Sequence, residues 1–311
     1  MMKVLVVDDV HESLFSSLNQ LDIDFLYQPQ ATLESIQEIL PAIQGLVIRS
    51  KFKIDQNFFD SAKKLKFIAR AGAGLDLIDL EAAENYKVKV FAANEGNKDA
   101  LAEHVIGQLL MLSAKLKQAD FDVRKGLWNR EENRGWELEG KTIGIIGYGN
   151  MGKAVAKRLK AFGMRILAYD KYNKPTAFDA SLDDIFELAD IVSLHIPLTL
   201  ETRNLVNPDF LNQFKKSIVL INSSRGEILS LENMLWGLQS GKLNGLISDV
   251  LPNEKLDTWT ELEKSQFEQI KSYPNTLFSP HVAGWTFESY QKISEVLASK
   301  ISDFILHELS E

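Results

Sequence analysis

Short runs of β-branched and aliphatic residues alternate with amphipathic stretches along most of the chain. The first runs predict strands at residues 3–7, 23–26, 45–48, 66–69 and 88–91. From residue 141 the alternation resumes and predicts strands at residues 142–146, 166–169, 191–194, 218–221, 245–248 and 276–278. Strands separated by helices form parallel sheets, because each helix returns the chain to the starting edge of the sheet. The pattern therefore predicts an α/β protein built on parallel sheets.

Two longer stretches carry helical periodicity. Apolar residues recur at helical spacing from Ala102 to Leu116, after Asp99 as the candidate N-cap, and residues 285–308 are predicted to form a second long helix. Between the later strands, residues typical of helix caps or first helical turns occur at Gly163, Ser181, Pro208 and Gly241. The first long helix falls between the two sets of strands, so it is a candidate connection between two domains.

Length, charge and composition narrow the functional classes. A chain of 311 residues favours two domains with a cleft between them. A net charge of -8 without a long Lys/Arg run argues against binding to nucleic acids or anionic membranes. The chain has no cysteine and its five histidines lack HExxH spacing, so we expect no disulfide and no metal site. With neither a signal-peptide pattern nor an apolar stretch of about 20 residues, we expect a cytoplasmic protein.

A glycine-rich turn joins one predicted strand to a helix. Residues 142–146 lead into Gly147-Tyr148-Gly149-Asn150-Met151-Gly152, and a helical segment follows. Gly147 permits a tight turn, Gly149 lets the backbone approach a pyrophosphate, and Gly152 allows helix and strand to pack closely. The motif alone also fits a purely structural glycine turn.

The end of the next predicted strand favours a cofactor site. Tyr169-Asp170 stands about 20 residues downstream, where an acid accepts hydrogen bonds from the adenosine ribose hydroxyls of a dinucleotide. A carboxylate at Asp170 repels a 2′-phosphate, so NAD is favoured over NADP. Lys171 and Lys174 stand nearby, and we interpret them as solvated surface charges.

Chemically distinctive residues follow three later strands, at the carboxyl ends where open α/β sheets bind their ligands. These segments are 222–226 (Asn-Ser-Ser-Arg-Gly), 249–254 (Asp-Val-Leu-Pro-Asn-Glu) and 279–284 (Ser-Pro-His-Val-Ala-Gly). Together with these segments, an ordered set of motifs along the chain includes residues 70–76, Glu103-His104 and residues 195–199 (His-Ile-Pro-Leu-Thr). In this set the sequence resembles the D-isomer-specific 2-hydroxyacid dehydrogenase family, and the resemblance runs through nearly the whole chain.

The resemblance implies a catalytic triad of Arg225, Glu254 and His281 that also makes chemical sense. The planar guanidinium of Arg225 matches a substrate carboxylate and stabilises a developing alkoxide. His281 gives a proton to the keto oxygen in reduction and removes the hydroxyl proton in oxidation. Glu254 orients His281 and favours its protonated form. Glu261 and Glu263 are rivals for the role of Glu254, whereas we expect His104 and His11 to be structural or surface residues.

The resemblance also implies the cofactor contacts and the domain plan. It assigns cofactor binding to Gly147, Gly149, Asn150, Met151, Gly152, Tyr169, Asp170, His195, Pro197, Thr202, Ser223, Ser224, Asp249 and Gly284. The implied architecture has two doubly wound parallel-sheet domains. A Rossmann NAD domain (residues 99–282) is inserted into a flavodoxin-like substrate domain (residues 1–98 plus 283–311). The chain would cross between these domains twice.

The substrate domain carries a second group of candidate residues. Backbone N–H groups of Gly72, Ala73 and Gly74 are expected to bind a substrate carboxylate, although an ordinary strand-to-helix turn is the alternative. Arg49, Ser50, Lys51 and Arg70 lie at predicted strand ends, where they would meet a negatively charged substrate tail such as a phosphate.

The sequence of residues 68–74 and the pair Gly96-Asn97 look most like the D-3-phosphoglycerate dehydrogenase branch of the family. The chain ends at Glu311, soon after the last predicted helix, so no C-terminal regulatory domain and no serine feedback are expected. Trp128 and Trp136 lie in a segment (residues 99–140) that family members use to form homodimers. A core role in a monomer is the alternative for both tryptophans.

Three other functions remain open. The nearest is a glyoxylate or hydroxypyruvate reductase with the same fold and triad. A formate dehydrogenase is disfavoured, because its reaction needs no proton transfer and its sequences resemble this one poorly around Glu254. A different class is an NAD(H)-sensing binding protein, like the corepressors that share this fold.

Overall fold

The computed structural model describes residues 2–21, 23–174 and 177–308. The chain divides into two compact units: a first unit of Met1–Lys98 with Trp285–Glu311, and a second unit of Asp99–Gly284. The strands are β1 (Lys3–Val6), β2 (Asp24–Tyr27), β3 (Gly45–Ile48), β4 (Phe67–Arg70), β5 (Lys89–Ala92), β6 (Thr142–Ile146), β7 (Arg165–Tyr169), β8 (Ile191–Leu194), β9 (Ile218–Asn222), β10 (Leu243–Ser248) and β11 (Thr276–Phe278).

The helices lie between the strands. They are α1 (Ser13–Gln20), α2 (Gln56–Ser61), α3 (Leu80–Asn85), α4 (Lys98–Ser113), α5 (Leu116–Arg124), α6 (Asn150–Lys160), α7 (Leu182–Leu188), α8 (Pro208–Asn212), α9 (Leu231–Gln239), α10 (Glu261–Lys271) and α11 (Phe287–Glu308). None of the helices in the described part of the chain is long and apolar enough to span a membrane.

Each unit is built on one parallel sheet. The described strands of the first unit form a five-stranded sheet in the order β2-β1-β3-β4-β5, and those of the second unit form a six-stranded sheet in the order β11-β10-β9-β8-β6-β7. The first order is that of flavodoxin-like folds, and both sheets change winding direction beside their first strand. The predicted fold class is therefore confirmed. In the second sheet the switch point lies between β6 and β8, where such folds bind ligands.

The second unit forms because its central strands are continuously apolar. Every residue of β8 and β9 is buried, as expected for a parallel sheet covered by helices on both faces. A Cβ atom at Gly144 in β6 would lie 2.5 Å from the Ile185 side chain, so glycine lets α7 pack closely. The predicted cap signals are confirmed: Ser181 forms a capping box with Asp184, and Asn207 before Pro208 accepts a hydrogen bond from the next turn.

The first unit joins both ends of the chain. Leu14 and Leu18 of α1 pack with Leu297 and Ile301 of α11, and all four are fully buried. A Cβ atom at Gly96 would lie 2.6 Å from the backbone nitrogen of Ile293, which requires glycine where the chain passes α11. The predicted helix at residues 285–308 is present, although it begins at Phe287.

Two details of the predicted connecting helix are wrong. Asp99 is not the N-cap: it lies in the first turn of α4, and its carboxylate accepts a hydrogen bond from Arg158 at 2.9 Å. The predicted helix also does not continue to Leu116. It ends at Ser113, and a separate helix, α5, starts at Leu116. Lys115 between them has φ +52°, a left-handed conformation that cannot continue a right-handed helix. Apolar spacing does not report such a break.

Candidate active site

The glycine turn after β6 is shaped by close backbone contacts. Gly147 has φ +95°, and a Cβ atom there would lie 2.3 Å from the carbonyl oxygen of His195. At Gly152 a Cβ atom would lie 2.1 Å from the carbonyl oxygen of Gly147. At Gly149, by contrast, nothing lies within 4 Å of the Cβ position. Gly149 is also the N-cap of α6, and no side chain caps this helix.

Asp170 lies one residue after β7 and is tied to the glycine turn. Its Oδ2 accepts the N–H of Tyr148 at 2.8 Å, and its Oδ1 accepts the N–H groups of Tyr172 and Asn173. Burial raises the pKa of Asp170, but these hydrogen bonds and nearby Lys153 outweigh burial and hold the pKa below its usual value. Asp170 is therefore a fixed negative charge beside the turn. Tyr169, the last residue of β7, is half-buried.

The ends of β8 and β9 bring three predicted residues together. Ser224 donates a hydrogen bond to the carbonyl of Leu194 at 2.6 Å and accepts one from the N–H of Ile196. His195 contacts Ser193 through Nε2 at 2.9 Å, while its Nδ1 is buried without a partner among the described residues. The Ser223 hydroxyl is likewise buried and unpartnered within the described chain. Burial lowers the pKa of His195 to about 4, so the ring is neutral at physiological pH.

Other predicted cofactor residues surround this edge. Asn150 and Met151 begin α6, and Met151 packs partly against the core of the second unit. The Thr202 hydroxyl donates to the carbonyl of Pro197 at 2.7 Å, so these two residues close their own loop. Gly284 is the last residue of the second unit.

These residues fit a dinucleotide at the switch point. The open position at Gly149 and the uncapped start of α6 leave room and backbone N–H groups for a pyrophosphate. The fixed charge of Asp170 suits ribose hydroxyls. Buried polar atoms almost always have hydrogen-bond partners, so the unpartnered His195 Nδ1 and Ser223 Oγ also indicate a ligand here.

Glu254 and His281 are in direct contact. His281 Nδ1 lies 2.9 Å from Oε1 and 3.1 Å from Oε2 of Glu254. The side chains are 47% and 49% exposed for His281 and Glu254, so a small molecule can reach them. The rivals have other tasks: Glu261 pairs with Lys264, and Glu263 caps α10 at Thr260. Of the three acids, Glu254 is the one that contacts His281.

Arg225 follows the neighbouring strand β9. Asn222 holds the backbone by donating to the Arg225 carbonyl at 3.0 Å, and the guanidinium donates to the Ser224 carbonyl at 2.6 Å. The next residue, Gly226, lies so close to the Leu251 carbonyl that a Cβ atom would be 1.9 Å from its oxygen. This contact joins the Arg225 loop to the loop that carries Glu254. Because β9, β10 and β11 are adjacent, the three triad segments share one edge of the sheet.

Asp249 anchors the segment that carries His281. Its carboxylate accepts hydrogen bonds from the Ser279 hydroxyl at 2.5 Å and from the N–H groups of Val282 and Ala283. Its carbonyl accepts the N–H of His281 at 2.7 Å. The structure therefore gives Asp249 a structural task beyond the cofactor contact expected from the sequence.

His104 also contacts the segment that carries His281, which the sequence analysis did not predict. His104 Nε2 lies 2.9 Å from Ser279 Oγ, and Gln108 donates to the same oxygen at 3.0 Å. His104 and Gln108 are four residues apart, on one face of α4. A polar pair at this spacing within a mostly apolar helix is the signal that could have identified them.

The first unit contains the predicted substrate-tail residues. The N–H groups of Arg49, Ser50 and Lys51 all donate to Asp8 Oδ2, so their backbone is engaged by a carboxylate. The Arg49 guanidinium lies 3.8 Å from the ring centroid of Trp285, a cation–π contact absent from our predictions.

Of the three backbone N–H groups predicted to bind a substrate carboxylate, that of Gly72 already has an acceptor in the structure. Gly72 N–H donates to the Arg70 carbonyl at 2.9 Å. No described residue accepts a hydrogen bond from the N–H of Ala73 or Gly74. Gly72 has φ +149°, and a Cβ atom there would lie 1.7 Å from the Arg70 guanidinium. Glycine at this position therefore makes room for the Arg70 side chain.

The two tryptophans of the predicted dimer segment differ. Trp128 is 79% exposed, whereas Trp136 packs partly against the core of the second unit. The monomeric core role that we considered for both therefore describes the position of Trp136 only.

Comparison with known proteins assigns the chain to a family. Residues 106–283 match the family model for the D-isomer specific 2-hydroxyacid dehydrogenase, NAD binding domain. The chain is 32% identical over 318 residues to a D-3-phosphoglycerate dehydrogenase of Methanocaldococcus jannaschii, covering 100% of this chain and 59% of that protein. It is 33% identical over 271 residues to a hydroxypyruvate reductase of Thermotoga maritima, covering 86% of this chain and 87% of that protein.

Solved structures agree in fold. A TT0316 protein from Thermus thermophilus is 29% identical with a TM-score of 0.80, and the match covers 96% of this chain and 94% of that one. A D-lactate dehydrogenase from Aquifex aeolicus, complexed with NAD and lactic acid, has a TM-score of 0.85 at 24% identity, with 99% and 96% covered. The chain belongs to the D-isomer-specific 2-hydroxyacid dehydrogenase family, and residues 106–283 are its NAD-binding domain.

Proposed function

We propose that this protein is an NAD-dependent oxidoreductase that interconverts a D-2-hydroxy acid and its 2-keto acid. The observation that carries the proposal is the Glu254–His281 contact at the sheet edge that also carries Arg225. A carboxylate on one ring nitrogen of a histidine fixes the ring orientation and leaves the other nitrogen for proton transfer.

Each member of the triad has one task. The Arg225 guanidinium binds the substrate carboxylate and stabilises negative charge on the reacting oxygen. His281 Nε2 gives a proton to the keto oxygen during reduction and removes the hydroxyl proton during oxidation. The Glu254 carboxylate stabilises the positive ring of His281 through Nδ1. When bound, the nicotinamide cofactor supplies or accepts the hydride at the substrate carbon.

For the substrate we propose 3-phospho-D-glycerate, oxidised to 3-phosphohydroxypyruvate in serine biosynthesis. Support comes from the similarity to D-3-phosphoglycerate dehydrogenases and from the cationic strand ends at Arg49 and Arg70. The second candidate is hydroxypyruvate or glyoxylate reduction, which the similarity to the Thermotoga maritima enzyme favours. Because the chain spans 59% of the first relative's length, the choice needs an assay.

The assay follows NADH absorbance while the purified protein reduces 3-phosphohydroxypyruvate, hydroxypyruvate or glyoxylate. We expect turnover of all three, with kcat/KM for the phosphorylated acid at least about tenfold higher, because a charged hydrogen bond to phosphate is worth about 1.5–3 kcal/mol. A preference for the unphosphorylated acids would move the assignment to the second candidate. No turnover of any acid, together with tight NADH binding, would favour a nucleotide-sensing binding protein.

We further propose that NAD is preferred over NADP because of Asp170. Replacing Asp170 with asparagine removes the negative charge and keeps one acceptor oxygen, which can serve the N–H groups of Tyr172 and Asn173 but not that of Tyr148 as well. We expect the ratio of kcat/KM for NADH to that for NADPH to fall by about tenfold. Asp183→Asn, on the exposed start of α7, is the control and should leave this ratio unchanged. An unchanged ratio in Asp170→Asn would contradict the role of Asp170.

The remaining proposals concern the domain bounds, the oligomeric state and the cellular location. We propose that residues 99–282 form the NAD domain and that residues 1–98 plus 283–311 form the substrate domain. We also propose a homodimer through residues 99–140, which is supported by exposed apolar side chains in and after α5: Leu116, Phe121, Val123, Leu127 and Trp128. We propose that the protein acts in the cytoplasm.

A further inference from the structure

His104 contacts the site from α4. Its Nε2 lies 2.9 Å from Ser279 Oγ and 3.7 Å from Asp249 Oδ1. The His104 side chain is 25% exposed, whereas the Asp249 side chain is 1% exposed. A histidine thus stands beside a buried carboxylate without being part of the proposed triad.

The hydrogen-bond capacity of Ser279 determines what His104 must do. A serine hydroxyl has one proton and two acceptor lone pairs. The Ser279 proton goes to Asp249 Oδ1, and the Gln108 side-chain amide donates to the Ser279 oxygen. The remaining contact of that oxygen is with His104 Nε2, which must therefore be a donor. In this arrangement every hydrogen-bonding site of the hydroxyl is used.

The Ser279–Asp249 pair in turn holds the backbone around His281. His281 has φ +54°, a left-handed conformation that costs free energy in a residue with a Cβ atom. Hydrogen bonds from residues 279, 281, 282 and 283 all end on Asp249. An unfavourable backbone conformation persists only when its surroundings fix it. The orientation of His281 therefore depends on this set of bonds.

We propose that His104 is a positioning residue: its Nε2–H directs the Ser279 hydroxyl toward Asp249 and so keeps His281 in the orientation needed for proton transfer. The kinetic part of this inference rests on the proposed function. The hydrogen-bond part does not, because it concerns only groups of the second unit.

The first test needs no turnover. Long-range ¹H–¹⁵N NMR spectra of the full chain report which ring nitrogen of each histidine bears a proton, and the His104 signals are assigned by their loss in His104→Gln. We expect a proton on Nε2 at neutral pH. An Nε2 without a proton would overturn the inference, since that nitrogen could not donate to Ser279.

The second test compares kinetic constants of variants. In His104→Phe, which fills a similar volume without a donor, we expect kcat to fall by about tenfold while KM for NADH changes by less than about twofold. His104→Gln keeps an N–H donor and should recover most of kcat. His307→Phe, a histidine on the last turn of α11, is the control and should leave kcat unchanged.

A double-mutant cycle separates positioning through Ser279 from a general loss of stability. If His104 acts through Ser279, His104→Phe should lower kcat by less than about twofold in the Ser279→Ala background. Equal losses in both backgrounds would overturn the inference. Absence of turnover in the wild-type chain would contradict the proposed function, while the NMR result would still decide whether His104 donates to Ser279.

Discussion

Replacing Arg225 with alanine is expected to lower kcat/KM for the 2-keto acid by about a thousandfold, the upper range for loss of one electrostatic group at a reacting oxygen. The guanidinium is the charge at the carboxyl end of β9 that is proposed to bind the substrate carboxylate. Both kcat and KM should change, because Arg225 binds the ground state as well as the developing alkoxide. The measurement is steady-state NADH oxidation with the best of the three acids.

Arg225→Lys is the matched variant for this prediction. Lysine keeps the positive charge but lacks the planar fork, so it should recover only part of the lost rate. NADH binding, measured by fluorescence titration, should stay close to the wild-type value in both variants. If Arg225→Ala retains the wild-type kcat/KM, the proposed substrate clamp is wrong.

Replacing His281 is expected to lower kcat by about a thousandfold with a much smaller change in KM, because general acid–base catalysis contributes about 10²–10⁴-fold. Asparagine is the appropriate substitute. His281 has φ +54°, and asparagine tolerates this left-handed region better than alanine does. The variant therefore removes proton transfer with little added backbone strain. Thermal unfolding of His281→Asn and wild type tests whether the fold is preserved.

Glu254→Gln provides the comparison for His281. Glutamine can still hydrogen-bond to His281 Nδ1 but carries no charge, so kcat should fall by about tenfold, less than in His281→Asn. A second comparison is Glu261→Gln, which removes an acid that pairs with Lys264 and should have no effect on kcat. Wild-type kcat in His281→Asn would exclude His281 as the proton donor and acceptor.

The sequence predicted the fold well because its signals are local. Each predicted strand was an apolar run that the structure contains with ends shifted by at most a few residues. The glycine turn was also predictable, since strand, glycine spacing and the following acid are all encoded within one short segment. The break at Lys115 was not predictable, because apolar spacing continues past it while one left-handed residue ends the helix.

By itself, the sequence determined the two parallel sheets, the position of the glycine turn and the residue types available for hydride-transfer chemistry. Only the tertiary structure decided which acid contacts His281, which N–H groups near Gly72 are already engaged, and that His104 approaches Ser279. The reason is physical. Local propensity depends on neighbours along the chain, whereas His104 and Ser279 stand 175 residues apart and meet only when α4 packs near the end of β11.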